Sequence, residues 1–216
     1  MHIVVFGATG NVGRQVVLEA LRRGHEVTGV VRDPAAVRSP DPRVKLVKGD
    51  ATDPASVARV VKGADAAVSA ISPRPNARGL AAPKLTDNAR AVIKGLRDAG
   101  VKRVLYVGGA SSLEVAPGRR LFDEPSFPDM YRAEALQGIE ALDIWRSEAE
   151  GLDWTYLSPA DQIFPGEHTG EYRTTEDALI VDDEGKSRIS FEDFAVAVLD
   201  ELEKPNHIGK RFGVAY

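Results

Sequence analysis

The chain has 216 residues, of which 43% are hydrophobic and 28% charged, with a formal net charge of −4. That length suits one domain with a substantial core, and the acidic balance excludes a broad electrostatic surface for nucleic acid. The absence of cysteine removes disulfides, thiolate metal sites and cysteine nucleophiles, and fits a cytoplasmic protein.

No apolar run approaches membrane-spanning length, and the first residues read as a strand rather than a signal peptide. Ile3 to Phe6 is a short run of mostly β-branched residues, the pattern of a buried strand. Gly7, Gly10 and Gly13 follow, and a helical pattern runs from Asn11 to about Arg23, with Val12, Val16 and Ala20 on one face. Strand, glycine turn and helix form the context in which glycines indicate a dinucleotide site. A glycine turn lets the backbone approach a pyrophosphate. The free N–H groups and positive dipole end of the helix then favour the anion. Gly7, Thr9, Gly10, Asn11, Val12 and Gly13 are therefore the first candidate cofactor contacts.

A second strand is expected from His25 to Arg32. In dinucleotide folds the residue at this strand end sits beside the adenosine ribose. An acidic residue there suits the 2′-hydroxyl of NAD, and an arginine suits the 2′-phosphate of NADP. Arg32 stands at that point and favours NADP over NAD. Arg14, Arg38 and Lys45 are secondary candidates. Asp33, before Pro34, reads as a helix cap.

Val44 to Lys48 reads as a third strand, followed by Gly49-Asp50-Ala51-Thr52-Asp53, where Asp53-Pro54 looks like a cap and first helical position. A helix to about Lys62 and a fourth strand from Ala64 to Ile71 come next. Pro73 to Ala82 is a Pro/Gly-rich loop whose Arg74 and Arg78 are candidates for a pyrophosphate. A long helix from Pro83 to Ala99 precedes a fifth strand, Val104 to Val107. This alternation implies an α/β fold, a Rossmann-type doubly wound parallel sheet in a single domain over residues 1–216.

Leu113 to Met130 is expected to be irregular, a substrate lid whose Phe122 and Phe127 stack on a flat ring. A helix from Tyr131 to Glu150 and a sixth strand from Leu152 to Leu157 follow. Gly166 to Asp183 reads as a loop and short hairpin burying Ile180 and Val181. Ser190 caps a last helix to Leu202, and Phe212 to Ala215 is a final strand. His168 and His207 lie in polar loops without metal-ligand spacing, so no metal is assigned.

The spacing Gly7-Ala8-Thr9-Gly10-Asn11-Val12-Gly13 resembles the short-chain dehydrogenase/reductase superfamily. Val31-Arg32-Asp33-Pro34, the Gly49–Asp53 turn and Gly108-Gly109-Ala110-Ser111-Ser112 narrow the resemblance to its atypical branch. That branch holds NmrA-like proteins and the NAD(P)H-dependent flavin and biliverdin reductases. Leu152 to Ala160 and Gly185 to Ser190 also resemble bacterial proteins named NADH-flavin reductases. The resemblance implies that Asp50 and Ala51 meet the adenine and that Ser69, Ala70 and Ile71 line the cofactor cleft. It further implies that Pro159 and Ala160 meet the nicotinamide carboxamide. Ser111 matches the serine of the flavin and biliverdin reductases and is the candidate catalytic group, with Ser112 as its alternative.

The superfamily's usual Tyr–Lys pair is missing. Four residues after Tyr106, Tyr131, Tyr156 and Tyr172 stand Ala110, Ala135, Ala160 and Glu176. A conjugated acceptor tolerates that loss, because it delocalises charge and takes its proton from solvent. The expected function is hydride transfer from NADPH to a small flat acceptor such as a flavin or quinone. The alternative is an NADP(H)-binding regulator without turnover, of the NmrA-like kind. A sugar-nucleotide epimerase normally needs the missing pair.

Overall fold

The computed structural model describes residues 1–73 and 83–216. Among them the first half of the chain alternates β1 (His2–Phe6), α1 (Asn11–Arg22), β2 (Glu26–Val31), β3 (Lys45–Lys48), α2 (Pro54–Val61), β4 (Ala66–Ser69), α3 (Leu85–Ala99) and β5 (Arg103–Val107). The second half adds β6 (Glu114–Ala116), β7 (Arg119–Arg120), α4 (Asp129–Glu148), β8 (Asp153–Ser158) and β9 (Gln162–Phe164). It continues with β10 (Arg173–Thr175), β11 (Arg188–Ser190), α5 (Phe191–Glu203) and β12 (Lys210–Ala215).

Eight of these strands form one sheet, in the order β10-β12-β8-β5-β4-β1-β2-β3. Every neighbouring pair is parallel except β10 with β12. The chain winds outward from β1 through β2 and β3, then returns to build β4, β5 and β8 on the other side. The reversal between β1 and β4 makes this a Rossmann-type fold with a crevice at the carboxyl ends of those strands.

The short apolar strands follow from burial on both faces. Along β1, Ile3 and Val5 face a core shared with α1 and α5, including Val16, Val17, Phe194 and Val198. Val4 and Phe6 face the opposite core, closed by α2, α3 and α4 through Val57, Val92, Leu96 and Leu142. There Trp145 lies 5.3 Å from Tyr106, which lies 5.6 Å from Tyr156. The expected caps are present. The Asp53 carboxylate accepts from the Ala55 and Ser56 N–H groups at 3.1 and 3.2 Å. The Ser190 hydroxyl accepts from the Asp193 N–H at 2.9 Å.

Glu19, buried on α1, binds Arg22 at 2.8 Å, Arg23 at 2.6 Å and His168 at 3.0 Å. Burial opposes its ionisation, but those hydrogen bonds outweigh burial and hold the carboxyl down at about 2. His168 is thus an anchor for its loop. The stretch 113–130 is more ordered than its composition suggests, because β6 and β7 pair into a small antiparallel ribbon. Phe122 and Phe127 pack against each other with their rings tilted, centroids 5.6 Å apart, and the Arg132 guanidinium lies 5.4 and 5.7 Å from them. The expected hairpin within 166–183 is not formed. β10 pairs with β12 instead, and Val181 is 43% exposed. Ile180 packs against the first core, and Val181, its neighbour in extended chain, faces the other way into solvent.

Candidate functional site

The glycine turn after β1 is built from backbone against backbone. Gly7 has φ +78°, and a Cβ there would stand 2.5 Å from the Ala70 carbonyl oxygen. A Cβ on Gly13 would stand 2.1 Å from the Gly7 carbonyl oxygen. The turn, the start of α1 and the segment after β4 therefore touch without intervening side chains. Gly10 is the N-cap and offers no side chain to the helix. The first-turn N–H groups of Asn11, Val12 and Gly13 have no acceptor within the helix, and Thr9, Gly10 and Asn11 are exposed around them. A cradle of this kind fits a pyrophosphate.

A recess of about 630 Å³ opens at the carboxyl ends of β2 and β3. It is lined by Arg32, Lys48, Asp50, Asp53, Ser56 and Arg59, among others. Both carboxylates are engaged locally. Asp53 caps α2, and Asp50 Oδ1 accepts from the Thr52 N–H at 2.8 Å and the Thr52 hydroxyl at 2.7 Å. Three cationic side chains against two such carboxylates leave the recess suited to a phosphate. Arg14, Arg38 and Lys45 are not among its lining residues, whereas Lys48 and Arg59 are. Their signal was weak in the sequence, since Lys48 ends a strand and Arg59 reads as a solvated helix charge.

The segment after β4 closes the wall. The Ala70 N–H donates to the Phe6 carbonyl at 3.0 Å, and Ile71 packs against the second core. The Ser69 hydroxyl donates to Asn88 Oδ1 at 3.0 Å, and Asn88 Nδ2 donates to the Ala51 carbonyl at 2.8 Å. Asn88 on α3 was not a sequence candidate, because one polar residue among Leu85, Ala89, Val92 and Leu96 looks like a break in an apolar stripe. Arg74 and Arg78 lie outside the described residues.

The other end of the crevice follows β5 and β8, which are neighbours in the sheet. Gly108 is required there, because a Cβ would stand 1.9 Å from the Tyr156 ring. Ser111 and Ser112 sit in a short 3₁₀ turn and are nearly buried. The Ser111 hydroxyl lies 3.4 Å from the Ala135 carbonyl, a long contact. Arg211 of β12, itself buried, donates through Nη1 to the Ser112 carbonyl at 3.2 Å and its hydroxyl at 3.4 Å. Its Nη2 pairs with Asp177. Pro159 and Ala160, after β8, are both buried.

The tyrosines near this end belong to the core. Burial pushes the Tyr106 and Tyr156 hydroxyls above the usual phenol range. Tyr156 donates to the Gly138 carbonyl at 2.9 Å, and Tyr106 lies 3.4 Å from the Leu85 carbonyl. Tyr172 donates to Asp200 at 2.6 Å, on α5. Among the described residues no group of three or more His, Cys, Asp or Glu side chains could hold a metal ion. No helix among them is long and apolar enough to cross a membrane.

Fold and site together define a dinucleotide-binding protein of Rossmann type. Residues 7–205 match the model of an NAD(P)H-binding family, and the chain belongs to that family. Three solved structures resemble it over its whole length. A "putative exported protein" from Burkholderia pseudomallei is 44% identical, with TM-score 0.89 and 100% of both chains covered. A "putative epimerase" from Bacteroides thetaiotaomicron is 40% identical, with TM-score 0.88, covering 100% of this chain and 96% of that one. A "putative NADH-flavin reductase" from Streptococcus pneumoniae is 32% identical, with TM-score 0.85, covering 100% and 99%. The expected kinship with the NAD(P)H-binding, flavin-reductase-like branch is therefore found. The three names differ in the activity or placement they state, so the comparisons carry the family and the general oxidoreductase type rather than an acceptor.

Proposed function

We propose that this protein binds NADPH in preference to NADH and reduces a small, flat, conjugated acceptor such as a flavin or a quinone. Arg32, Lys48 and Arg59 would meet the 2′-phosphate. The first-turn N–H groups of α1 would hold the pyrophosphate, and Pro159 and Ala160 would orient the carboxamide. When bound, the cofactor supplies the hydride.

The observation that carries the acceptor class is the placement of Tyr106 and Tyr156. Both stand in the strands that lead to the reaction end, and both rings are closed in the core with their hydroxyls turned to backbone carbonyls. Neither can protonate a nascent alkoxide. An acceptor that spreads its new charge over a ring system needs no such donor, and what remains for the chain is orientation and exclusion of water. Ser111, whose long contact to Ala135 leaves its hydroxyl only weakly engaged, is the group we assign to orient nicotinamide and acceptor. We place the protein in the cytoplasm on its cysteine-free composition.

The test is anaerobic oxidation of NADPH with FMN, riboflavin and a simple quinone. Turnover with any of these supports the reductase. Ser111→Ala should then slow hydride transfer about tenfold, as loss of one orienting hydrogen bond allows, with cofactor affinity nearly intact. Tight NADPH binding without turnover favours a regulator that senses the cofactor, the reading the missing Tyr–Lys pair also supports.

A further inference from the structure

Asn88 is fully buried in the apolar stripe of α3. Burying a primary amide there is costly unless its groups are satisfied. One Nδ2 hydrogen bond goes to the Ala51 carbonyl at 2.8 Å, and Oδ1 accepts from the Ser69 hydroxyl at 3.0 Å. The orientation of the amide is forced, since a backbone carbonyl only accepts and must face the NH₂ group. Its two partners are 18 residues apart in sequence and belong to different walls of the crevice. Ala51 is in the turn after β3, beside Asp50 and the cationic recess. Ser69 ends β4, one residue before the carbonyl that packs on Gly7. An apolar residue would fill the stripe equally well and leave those walls unconnected.

We propose that Asn88 is a positioning residue for the adenosine half of the dinucleotide site. Its amide ties the turn after β3 to the end of β4, so that the two walls form one rigid surface before the ligand arrives. A preorganised surface gives affinity by removing the ordering cost of binding. The proposal rests on the assignment of Ala51 and Ser69 to the cofactor site, and it is independent of any acceptor.

The test uses the full chain with NADP⁺ and with 2′,5′-ADP, the adenosine half alone. Dissociation constants come from calorimetry well below the unfolding midpoint, alongside thermal unfolding. Asn88→Asp keeps the shape but sets an oxygen against the Ala51 carbonyl. Ser69→Ala removes only the other bond. We expect Asn88→Asp to weaken both ligands by the same factor, about tenfold, and Ser69→Ala to weaken both about threefold, as one buried hydrogen bond allows. Affinity that stays unchanged while the midpoint falls overturns the proposal, as does a loss confined to NADP⁺ that spares 2′,5′-ADP. If Asn88→Asp does not fold, Ser69→Ala decides alone. Failure of the wild-type chain to bind either ligand is a different result, and it sinks the proposed function instead.

Discussion

The two ends of the crevice are made in different ways. At the nucleotide end the parts are mostly backbone: glycines touching carbonyls, helix N–H groups and an aspartate capping the helix beside it, with the Asn88 side chain as the tie between two walls. At the other end the parts are side chains brought from far along the chain. Arg211 reaches Ser112 across 99 residues, and Tyr156 fits its ring against Gly108 from 48 residues away. The first end accepts almost no change of shape. The second is equally tight at Gly108, against the Tyr156 ring, but its serine turn depends on which strands and helices are docked.

That contrast can be tested in order of size. Gly13→Ala should be the most damaging change, because the new Cβ has only rigid backbone 2.1 Å away. We expect loss of cofactor binding by a hundredfold or more and a stability loss of about 3 kcal/mol, read by titration and by thermal unfolding. Arg211→Met should act on the other end. Its removal frees the Ser112 turn while Asp177 stays half in solvent, so turnover should fall far more than cofactor affinity, with stability down about 2 kcal/mol. An equal loss in both would erase the distinction between the two ends. Arg32→Ala should weaken NADPH binding about tenfold and NADH binding little. Equal losses would remove Arg32 from the 2′-phosphate.

The smallest effect lies away from the crevice. Glu19 is held at about 2 from an ordinary 4.5 by Arg22, Arg23 and His168. A carboxyl lowered on folding stabilises the native state above its unfolded pKa and loses that contribution as pH falls towards its folded one. Stability should therefore decline between pH 4.5 and about 2, by about 1 kcal/mol once the exposure of Arg22 and His168 is allowed for. Glu19→Gln should flatten that part of the pH profile in denaturant melts, and an unchanged slope would assign the decline to other carboxylates.

The same contrast explains what the sequence disclosed. Gly7 to Gly13 and Asp53-Pro54 are contiguous, and each residue type answers a local backbone need, so the nucleotide end was readable with its strands and caps. The ribbon of β6 and β7 was not, because Arg119 and Arg120 have neither β-branching nor alternation. β9 and β11 pair in parallel with their partners 26 residues apart, Gln162 with Arg188, and no local pattern encodes that meeting. Asn88 and Arg211 were missed for a related reason. Asn88 is one polar residue in an apolar stripe and Arg211 is the second of two basic residues that open a strand, and the meaning of each lies in partners that only the fold supplies.

β12 is the last strand of the sheet in chain order, and it slots between β8 and β10. On the ribosome, the glycine turn, the recess and Asn88 are all synthesised while this strand is still to come. The segments that line the nucleotide end are thus made first, but α1 has no partner for its apolar face until α5 follows, and the serine turn waits for Arg211. A chain clipped before α5 would leave the apolar face of α1 bare, so such a truncation should cost both ends of the crevice together rather than the serine turn alone.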